Sequence, residues 1–387
     1  MVKKYTKEHI PNNVKLLGTS SFFNDTASDM ITPILPFYII ALGGSGIAVG
    51  ALSGLREGLS SIFKVLGGWD SDRIGKRKVF IFLGYIISIL SRITLIFAKS
   101  VGVILSMVSI ERLGKLRDPP RDVLLSTAAK KRGKSFAFHQ MMDNLGGIVG
   151  TLLVIFLFWK LNFTFPKIIL IAAIISVFSL VPLLFVKEPK TKKIKKNLFK
   201  GIKLLDPKLK YFIFVSSVFT LANFGLYIFL ILLAKEVSGS IVFAMAMYAL
   251  FMLVYALFII PFGKLSDRIG RKKVLFLGYL LFFLLSFGFI YCDSIFGIVI
   301  LFSLYGLVYA ITHSNEKALV SDLSGEMKGT AIGFYYAVMG ITSIAGGIIA
   351  GLLWNIEPKL MFTYLTIIGL LALILLNFIK EDEEYKC

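Results

Sequence analysis

Runs of about twenty apolar residues follow one another along almost the whole chain, with short polar segments between them. An α-helix of that length crosses the ~30 Å hydrocarbon layer of a membrane. The pattern therefore predicts an all-α membrane protein. The twelve predicted spans are residues 14–41, 47–68, 79–98, 101–121, 136–158, 166–186, 211–233, 241–262, 274–291, 295–317, 330–354 and 360–379.

The composition agrees with this pattern. Hydrophobic residues make up 56% of the 387 residues, whereas charged residues make up only 17%. A soluble domain of this length carries more charge. The two cysteines, Cys292 and Cys387, are too few for a disulfide framework.

The net charge of +20 at first suggests a nucleic-acid partner, but the positions of the charges argue against one. The basic residues gather in alternate loops, and residues 187–210 contain ten lysines against two acids, whereas the other loops are nearly uncharged. This bias predicts a multi-pass protein of the cytoplasmic (inner) membrane with both termini in the cytoplasm. We predict two six-helix bundles, 1–186 and 211–387, joined by a basic cytoplasmic linker at 187–210.

The two halves repeat one another. The sequence GGWDSDRIGKRKVFIFLGY at 67–85 returns as FGKLSDRIGRKKVLFLGY at 262–279, which places Asp72 and Asp267 195 residues apart. A second echo, RGKSFAF at 132–138 against KGTAIGF at 328–334, has almost the same offset. A duplicated six-helix unit is an architecture of secondary transporters.

The repeated segment resembles the loop signature of the major facilitator superfamily, G-x-x-x-D-R-x-G-R-[KR]-[KR], and the twelve spans extend the resemblance over the chain. It implies two pseudo-symmetric bundles around a central cavity. The charges of this loop are then candidates for a gating latch between the bundles. The latch residues in the two copies of the loop are Asp72, Arg73, Asp267 and Arg268. Asp122, at the exit of the fourth span, is the candidate acceptor for Arg73.

The stretch RDPPRDV at 117–123 falls where the fourth span leaves the membrane. We expect Asp118 to cap a new helical turn that begins with Pro119 and Pro120. The region around it resembles a superfamily subgroup with relatives in magnetosome gene clusters, which are thought to move iron. Thr151 stands where that subgroup has proline, but Gly146 and Gly150 keep the spacing for close helix packing.

Ionisable side chains inside a membrane are costly, so by default they mark a transport pathway. Asp25 and Asp29 lie one helical turn apart in the first span and repel each other unless a proton or a cation intervenes. The second half has fewer such residues, among them Glu316 with Lys317. The predicted carriers of protons or cations are Asp25, Asp29, Asp143, Glu57 and Glu111. The predicted substrate-binding residues are Asn24, Arg56, Arg112, His139, Asn144, Tyr305, Tyr309 and His313.

Three functions compete. The first is secondary transport of a small solute, proton-coupled and by alternating access. The second is a divalent-metal carrier, with Asp25, Asp29, His139 and Asp143 as possible ligands, because carboxylate and imidazole suit iron, manganese or zinc. The third is a membrane receptor that transports nothing, which explains neither the repeat nor the charges within the spans.

The chain has no G-x-x-x-x-G-K-[ST] loop for ATP and no visible pairing of a nucleophile with a base, so we expect no enzyme activity. We expect no cofactor. The expected partners are the substrate, protons and the lipid membrane, and we expect a monomer.

Overall fold

The computed structural model describes residues 10–128, 132–188, 202–325 and 327–379. Every regular segment of these residues is helical. They form two six-helix bundles, as the sequence predicts, and each bundle corresponds to one copy of the repeat.

The first bundle contains nine α-helices, because three of its crossings are divided. The first crossing is interrupted by a 3₁₀ turn at Thr32–Ile34, where Pro33 removes a backbone donor. The helices are α1 (Asn12–Ile31), α2 (Leu35–Ala41), α3 (Gly46–Ile74), α4 (Arg77–Leu95), α5 (Val101–Leu113), α6 (Asp118–Ala128), α7 (Arg132–Trp159), α8 (Phe165–Val177) and α9 (Leu180–Leu184).

The second bundle contains seven α-helices, because its first crossing is divided between Ala222 and Tyr227. Gly225 has a φ of 98° in this break, which a residue with a side chain rarely adopts. The helices are α10 (Pro207–Ala222), α11 (Tyr227–Ser238), α12 (Ile241–Ile269), α13 (Arg271–Ile290), α14 (Ile295–Asp322), α15 (Lys328–Ile356) and α16 (Pro358–Asn377). The sequence did not predict this break, since residues 211–233 are continuously apolar.

Among the described residues, nine helical stretches are long and apolar enough to cross a membrane by length and composition. The remaining three crossings are α1 with α2, α3, and α5 with α6. These three carry Asp25, Asp29, Arg56, Glu57, Glu111 and Arg112. The helices that are least suited to lipid are therefore those that carry the candidate site.

Glycines allow the two bundles to meet along α3 and α15. A Cβ added at Gly54 would lie 2.8 Å from the carbonyl oxygen of Ser343, and one at Gly58 would lie 2.5 Å from that of Gly340. At the far end of this seam, the backbone N–H of Gly46 donates to Oδ1 of Asn355 over 2.6 Å. We call this far end the opposite end, and the end that carries Arg73, Lys76 and Arg271–Lys273 the basic end.

Glycines also determine the packing inside the first bundle. A Cβ at Gly146 would lie 2.5 Å from the carbonyl oxygen of Phe22, and one at Gly150 would overlap that of Thr26. The prediction that these two residues allow close packing is confirmed. In the repeated loop, Gly75 ends α3 with a φ of 73°, which a residue with a side chain rarely adopts.

A larger residue in the seam should destabilise this arrangement of the bundles. We expect Gly58→Ala to lower the free energy of unfolding by about 1–3 kcal/mol, because the new methyl group overlaps the carbonyl oxygen of Gly340 and the side chain of Ile344 in α15. Thermal unfolding of the purified protein in detergent measures the change. The matched control is Gly102→Ala, where a Cβ meets no atom within 4 Å. Equal midpoints for the two variants would contradict the role of the seam.

Candidate functional site

Two carboxylates of the first bundle accept hydrogen bonds from tyrosines of the second bundle. The Tyr248 hydroxyl of α12 donates to Oδ1 of Asp29 in α1 over 3.0 Å. The Tyr227 hydroxyl of α11 donates to Oε1 of Glu57 in α3, also over 3.0 Å. Neither carboxylate has a described Lys, Arg or His nitrogen within 4.0 Å. The bundles are thus joined at the candidate site by bonds whose strength depends on the ionisation of a carboxylate.

Arg56 lies beside these two bonds. It is only 6% exposed, and its Nη2 donates to Oγ1 of Thr32 in the interrupted first crossing over 2.8 Å. Its Nε has no hydrogen-bond partner among the described residues. A buried guanidinium with a free donor suits an anionic group or a conformation-dependent partner.

Glu111 has a different environment, because it lies between two arginines. Its Oε1 accepts from Nη2 of Arg92 over 2.9 Å, and its Oε2 accepts from Nη2 of Arg112 over 2.6 Å. A carboxylate held by two guanidinium groups keeps its charge and is costly to protonate. The structure therefore places Arg112 and Glu111 in one ion cluster, and their predicted roles in coupling and substrate binding stay predictions.

Asp25 lies one turn before Asp29 in α1 and is partly exposed. Its Oδ1 accepts a hydrogen bond from Nδ2 of Asn24 over 2.9 Å. No described cation lies within 4.0 Å of its carboxylate. Among the described residues, Asn24 is therefore the one hydrogen-bond partner found for the Asp25 carboxylate. Asp25 remains a candidate proton carrier.

His139 links α7 to α1. Its Nδ1 lies 3.2 Å from Oδ2 of Asp143, and its Nε2 lies 3.0 Å from Oγ of Ser21. The same hydroxyl lies 3.2 Å from the Tyr85 hydroxyl and accepts from Nη1 of Arg121 over 3.2 Å. Asp143 thus belongs to a chain of hydrogen bonds within the first bundle. Asn144 bonds instead to Gln140 of its own helix over 3.2 Å.

Aromatic side chains of the second bundle form a continuous column that faces the charges of the first. Successive rings have centroids 5.3–5.8 Å apart from Phe251 through Tyr305 to Tyr309, and His313 stacks on Tyr309 at 5.5 Å. The Tyr305 hydroxyl donates to Oδ1 of Asn223, in the break between α10 and α11, over 2.7 Å. We call this set the aromatic column, and its members are Tyr227, Tyr248, Phe251, Tyr255, Tyr305, Tyr309 and His313.

The RDPPRDV stretch forms an ion cluster at the basic end. Asp118 has helical backbone angles, φ −62° and ψ −52°, so the expectation that it caps α6 was wrong. Its carboxylate, in a side chain only 10% exposed, instead lies within 4.0 Å of four cations. The distances to Asp118 are 3.7 Å for Lys64, 3.7 Å for Lys115, 3.9 Å for Arg117 and 3.5 Å for Arg121.

Among the side chains that the structure describes, the predicted latch residues of the first bundle do not contact one another. Arg73 lies over the ring of Trp69, with 5.6 Å between its Cζ and the ring centroid. Asp122 lies 3.5 Å from Nη2 of Arg121, and no contact between Asp122 and Arg73 forms in this conformation. The side chain of Asp72 lies outside the described residues.

In the second copy of the loop, Asp267 lies 3.0 Å from Nη2 of Arg271, whose Nε also pairs with Asp322 at the end of α14. Arg268 has no carboxylate within 4.0 Å among the described residues. The latch remains a prediction for all five residues.

Two acidic residues have partners that the sequence did not predict. Asp118 was expected to cap α6, although Lys115, Arg117 and Arg121 lie within one turn of it in the sequence. Glu316 of α14 is 6% exposed and accepts from the hydroxyls of Tyr279 over 2.8 Å and Tyr335 over 2.7 Å. No sequence signal brings these two tyrosines to Glu316, because they come from α13 and α15.

The possible metal ligands do not converge. Within the part of the chain that the structure describes, no group of three or more His, Cys, Asp or Glu side chains is arranged to hold a metal ion. Asp29 faces Tyr248, whereas His139 and Asp143 pair with each other. The metal-carrier interpretation stays a prediction.

Comparison with known proteins identifies the protein family. The Major Facilitator Superfamily matches residues 17–239 and again residues 212–386. The chain therefore belongs to the major facilitator superfamily, and it is a multi-pass membrane transporter rather than an enzyme.

Particular relatives share most of the chain. An uncharacterised MFS-type transporter of Methanocaldococcus jannaschii is 43% identical over 381 residues, which cover 96% of this chain and 95% of the relative. The multidrug resistance protein MdtH of Aeromonas hydrophila is 22% identical over 90% of this chain and 93% of its own. Neither name specifies a single substrate.

Solved structures share the fold. A mutant of the nucleoside transporter NupG has a TM-score of 0.83 at 14% identity, with 95% of this chain and 100% of that chain covered. A peptide transporter POT in complex with sulfate has a TM-score of 0.76 at 15% identity, with coverage of 97% and 95%. At these identities the likeness establishes the fold alone.

The ion cluster at the basic end should stabilise the first bundle. We expect Asp118→Asn to lower the free energy of unfolding by on the order of 3 kcal/mol, because it leaves four cations without their shared carboxylate. The control is Asp122→Asn, whose side chain is 51% exposed and meets one cation among the described residues. Thermal unfolding in detergent compares them, and an unchanged midpoint for Asp118→Asn would show that the cluster contributes no stability.

Proposed function

We propose that the protein is a proton-coupled secondary transporter that moves a small organic solute across the cytoplasmic membrane by alternating access. One observation carries the proposal. Asp29 and Glu57 of the first bundle each accept a hydrogen bond from a tyrosine of the second bundle, at 3.0 Å and without a described cation within 4.0 Å.

The chemistry of these bonds connects protonation to movement. A phenol donates a stronger hydrogen bond to an ionised carboxylate than to a neutral carboxyl group. Protonation of Asp29 and Glu57 therefore weakens the attraction between the bundles at the site. Loss of those protons restores it. This dependence is what a carrier needs in order to couple the binding of a proton to a change of access.

The glycine seam between α3 and α15 indicates which side of the membrane is closed in this conformation. The bundles meet along α3 and α15 as far as the opposite end, where Gly46 bonds to Asn355. The basic excess of the loops favours a cytoplasmic location for the basic end. This conformation is then closed toward the outside, and proton uptake favours its opening there.

The aromatic and charged side chains around the site indicate the class of solute. In the aromatic column, Tyr255, Tyr309 and His313 keep part of their ring surface accessible, whereas the other members are buried. Arg56 and Asp25 add charges nearby. A surface of this kind suits organic molecules of modest size. The name of the MdtH relatives, multidrug resistance protein, supports the same class.

A spin-label experiment tests this proposal without a known substrate. Labels at Ser45→Cys and Glu357→Cys, both exposed at the opposite end, report the separation of α3 from α15 after Cys292 and Cys387 are replaced with serine. When the pH falls from about 8 to 5, we expect a second, longer distance to appear. Asp29→Asn and Glu57→Gln should show this longer distance already at about pH 8, with a population ratio changed about tenfold.

The control for these variants is Asp293→Asn, which removes an exposed carboxylate of the loop between α13 and α14. This variant should keep the response of the wild-type protein. The proposal is overturned if the wild-type distances do not change with pH, or if Asp29→Asn and Glu57→Gln together keep the wild-type response.

A hydroxyl deletion provides the complementary prediction. Tyr248→Phe removes the donor to Asp29 and leaves the carboxylate able to ionise. We therefore expect this variant to populate the longer distance at about pH 8, as Asp29→Asn does, and the double variant to add little further change. Effects that simply add would contradict a direct bond between the two residues as the source of the change.

A further inference from the structure

Lysines from the two bundles approach each other around one tyrosine ring. The Nζ of Lys64 in α3 lies 5.7 Å from the centroid of the Tyr336 ring in α15. The Nζ of Lys317 in α14 also lies 5.7 Å from that centroid. Ammonium groups of opposite bundles therefore both lie beside the ring of Tyr336 at the interface.

One of these lysines has a nearby carboxylate and the other has none among the described residues. Lys64 shares the carboxylate of Asp118 with three other cations. Lys317 has no carboxylate within 4.0 Å among the residues that the structure describes. Like charges that meet in a partly desolvated interface repel each other unless an anion lies between them.

His313 connects this place to the aromatic column. Its Nε2 lies 3.0 Å from Nζ of Lys317. Because an ammonium group only donates, Nε2 is the acceptor of this bond when Lys317 is charged. The ring of His313 stacks on Tyr309 at 5.5 Å and meets Tyr255 edge to face at 6.3 Å. A molecule held by Lys317 would therefore lie against aromatic rings.

We propose that Lys64 and Lys317 form an anion-binding site across the bundle interface, which takes the carboxylate or phosphate group of a solute whose apolar or aromatic part packs on Tyr309 and Tyr255. The inference rests on the proposed function and deepens it, because it names the solute class as organic anions. The bound anion offsets the repulsion between the lysines, so solute binding favours the approach of the bundles on this side.

The test measures the thermal unfolding midpoint of the purified full chain, in a neutral detergent, against the concentration of each probe, which reports binding to the folded state. The probes are benzoate, phenyl phosphate, benzyl alcohol and benzylamine, which share a ring and differ in charge, and inorganic phosphate alone. We expect benzoate or phenyl phosphate to raise the thermal unfolding midpoint, and benzyl alcohol and benzylamine to leave it unchanged. Phosphate alone should act more weakly, because it makes no contact with the rings.

Variants assign the effect to the lysines. Lys317→Gln should weaken binding of the anionic probe about tenfold, and Lys317→Arg should retain it. Lys64→Gln should weaken binding as well, and if it fails to fold because Asp118 loses a partner, Lys317→Gln remains decisive. The control is Lys167→Gln. This variant also removes one positive charge, but the Nζ of Lys167 lies over the ring of Phe163 in the first bundle, away from Tyr336.

Stabilisation by benzyl alcohol or benzylamine that matches that of the anions would overturn the inference. An anion effect that survives Lys317→Gln, or no effect of any anionic probe, would overturn it too. Binding in detergent does not require alternating access. A failure here therefore leaves the spin-label result intact, and a failure of the spin-label experiment leaves this measurement interpretable.

Discussion

An ionised side chain inside a membrane protein needs a charge partner or several hydrogen bonds, and this requirement organises the first bundle. Glu111 satisfies it with two arginines and Asp118 with four cations, so both keep their charge. Asp29 and Glu57 have no described cation within 4.0 Å and find phenol donors on the other bundle instead. The two carboxylates without a described cation are thus the ones whose hydrogen-bond donors lie on the other bundle.

The glycine seam makes these bonds possible. Close contact of α3 with α15 brings the face of α3 that carries Glu57 toward the second bundle. The break around Gly225 then places Tyr227 at the start of α11, and a Cβ at Gly225 would lie 2.9 Å from Cγ of Glu57. Backbone approach and polar chemistry therefore depend on the same few small residues.

The sequence predicted the twelve crossings and the repeat because hydrophobic runs and a duplicated motif are local patterns. It also predicted Asp25, Asp29 and Glu57 as unusual, since charge within an apolar run is visible without a structure. It did not predict that Asp29 meets Tyr248, or that Glu316 meets Tyr279 and Tyr335, because these pairs join separate helices. The break at Ala222–Tyr227 escaped prediction because a glycine in an apolar run does not always interrupt a helix.

Infrared difference spectroscopy between about pH 8 and pH 5 tests most directly our proposal that Asp29 and Glu57 bind protons and that this loosens the interface. The account predicts that acidification adds the carbonyl band of protonated carboxyl groups, that Asp29→Asn and Glu57→Gln each remove part of it, and that Tyr248→Phe shifts the Asp29 component. A band that is the same in all of these variants would contradict the account, because the protons would then bind elsewhere.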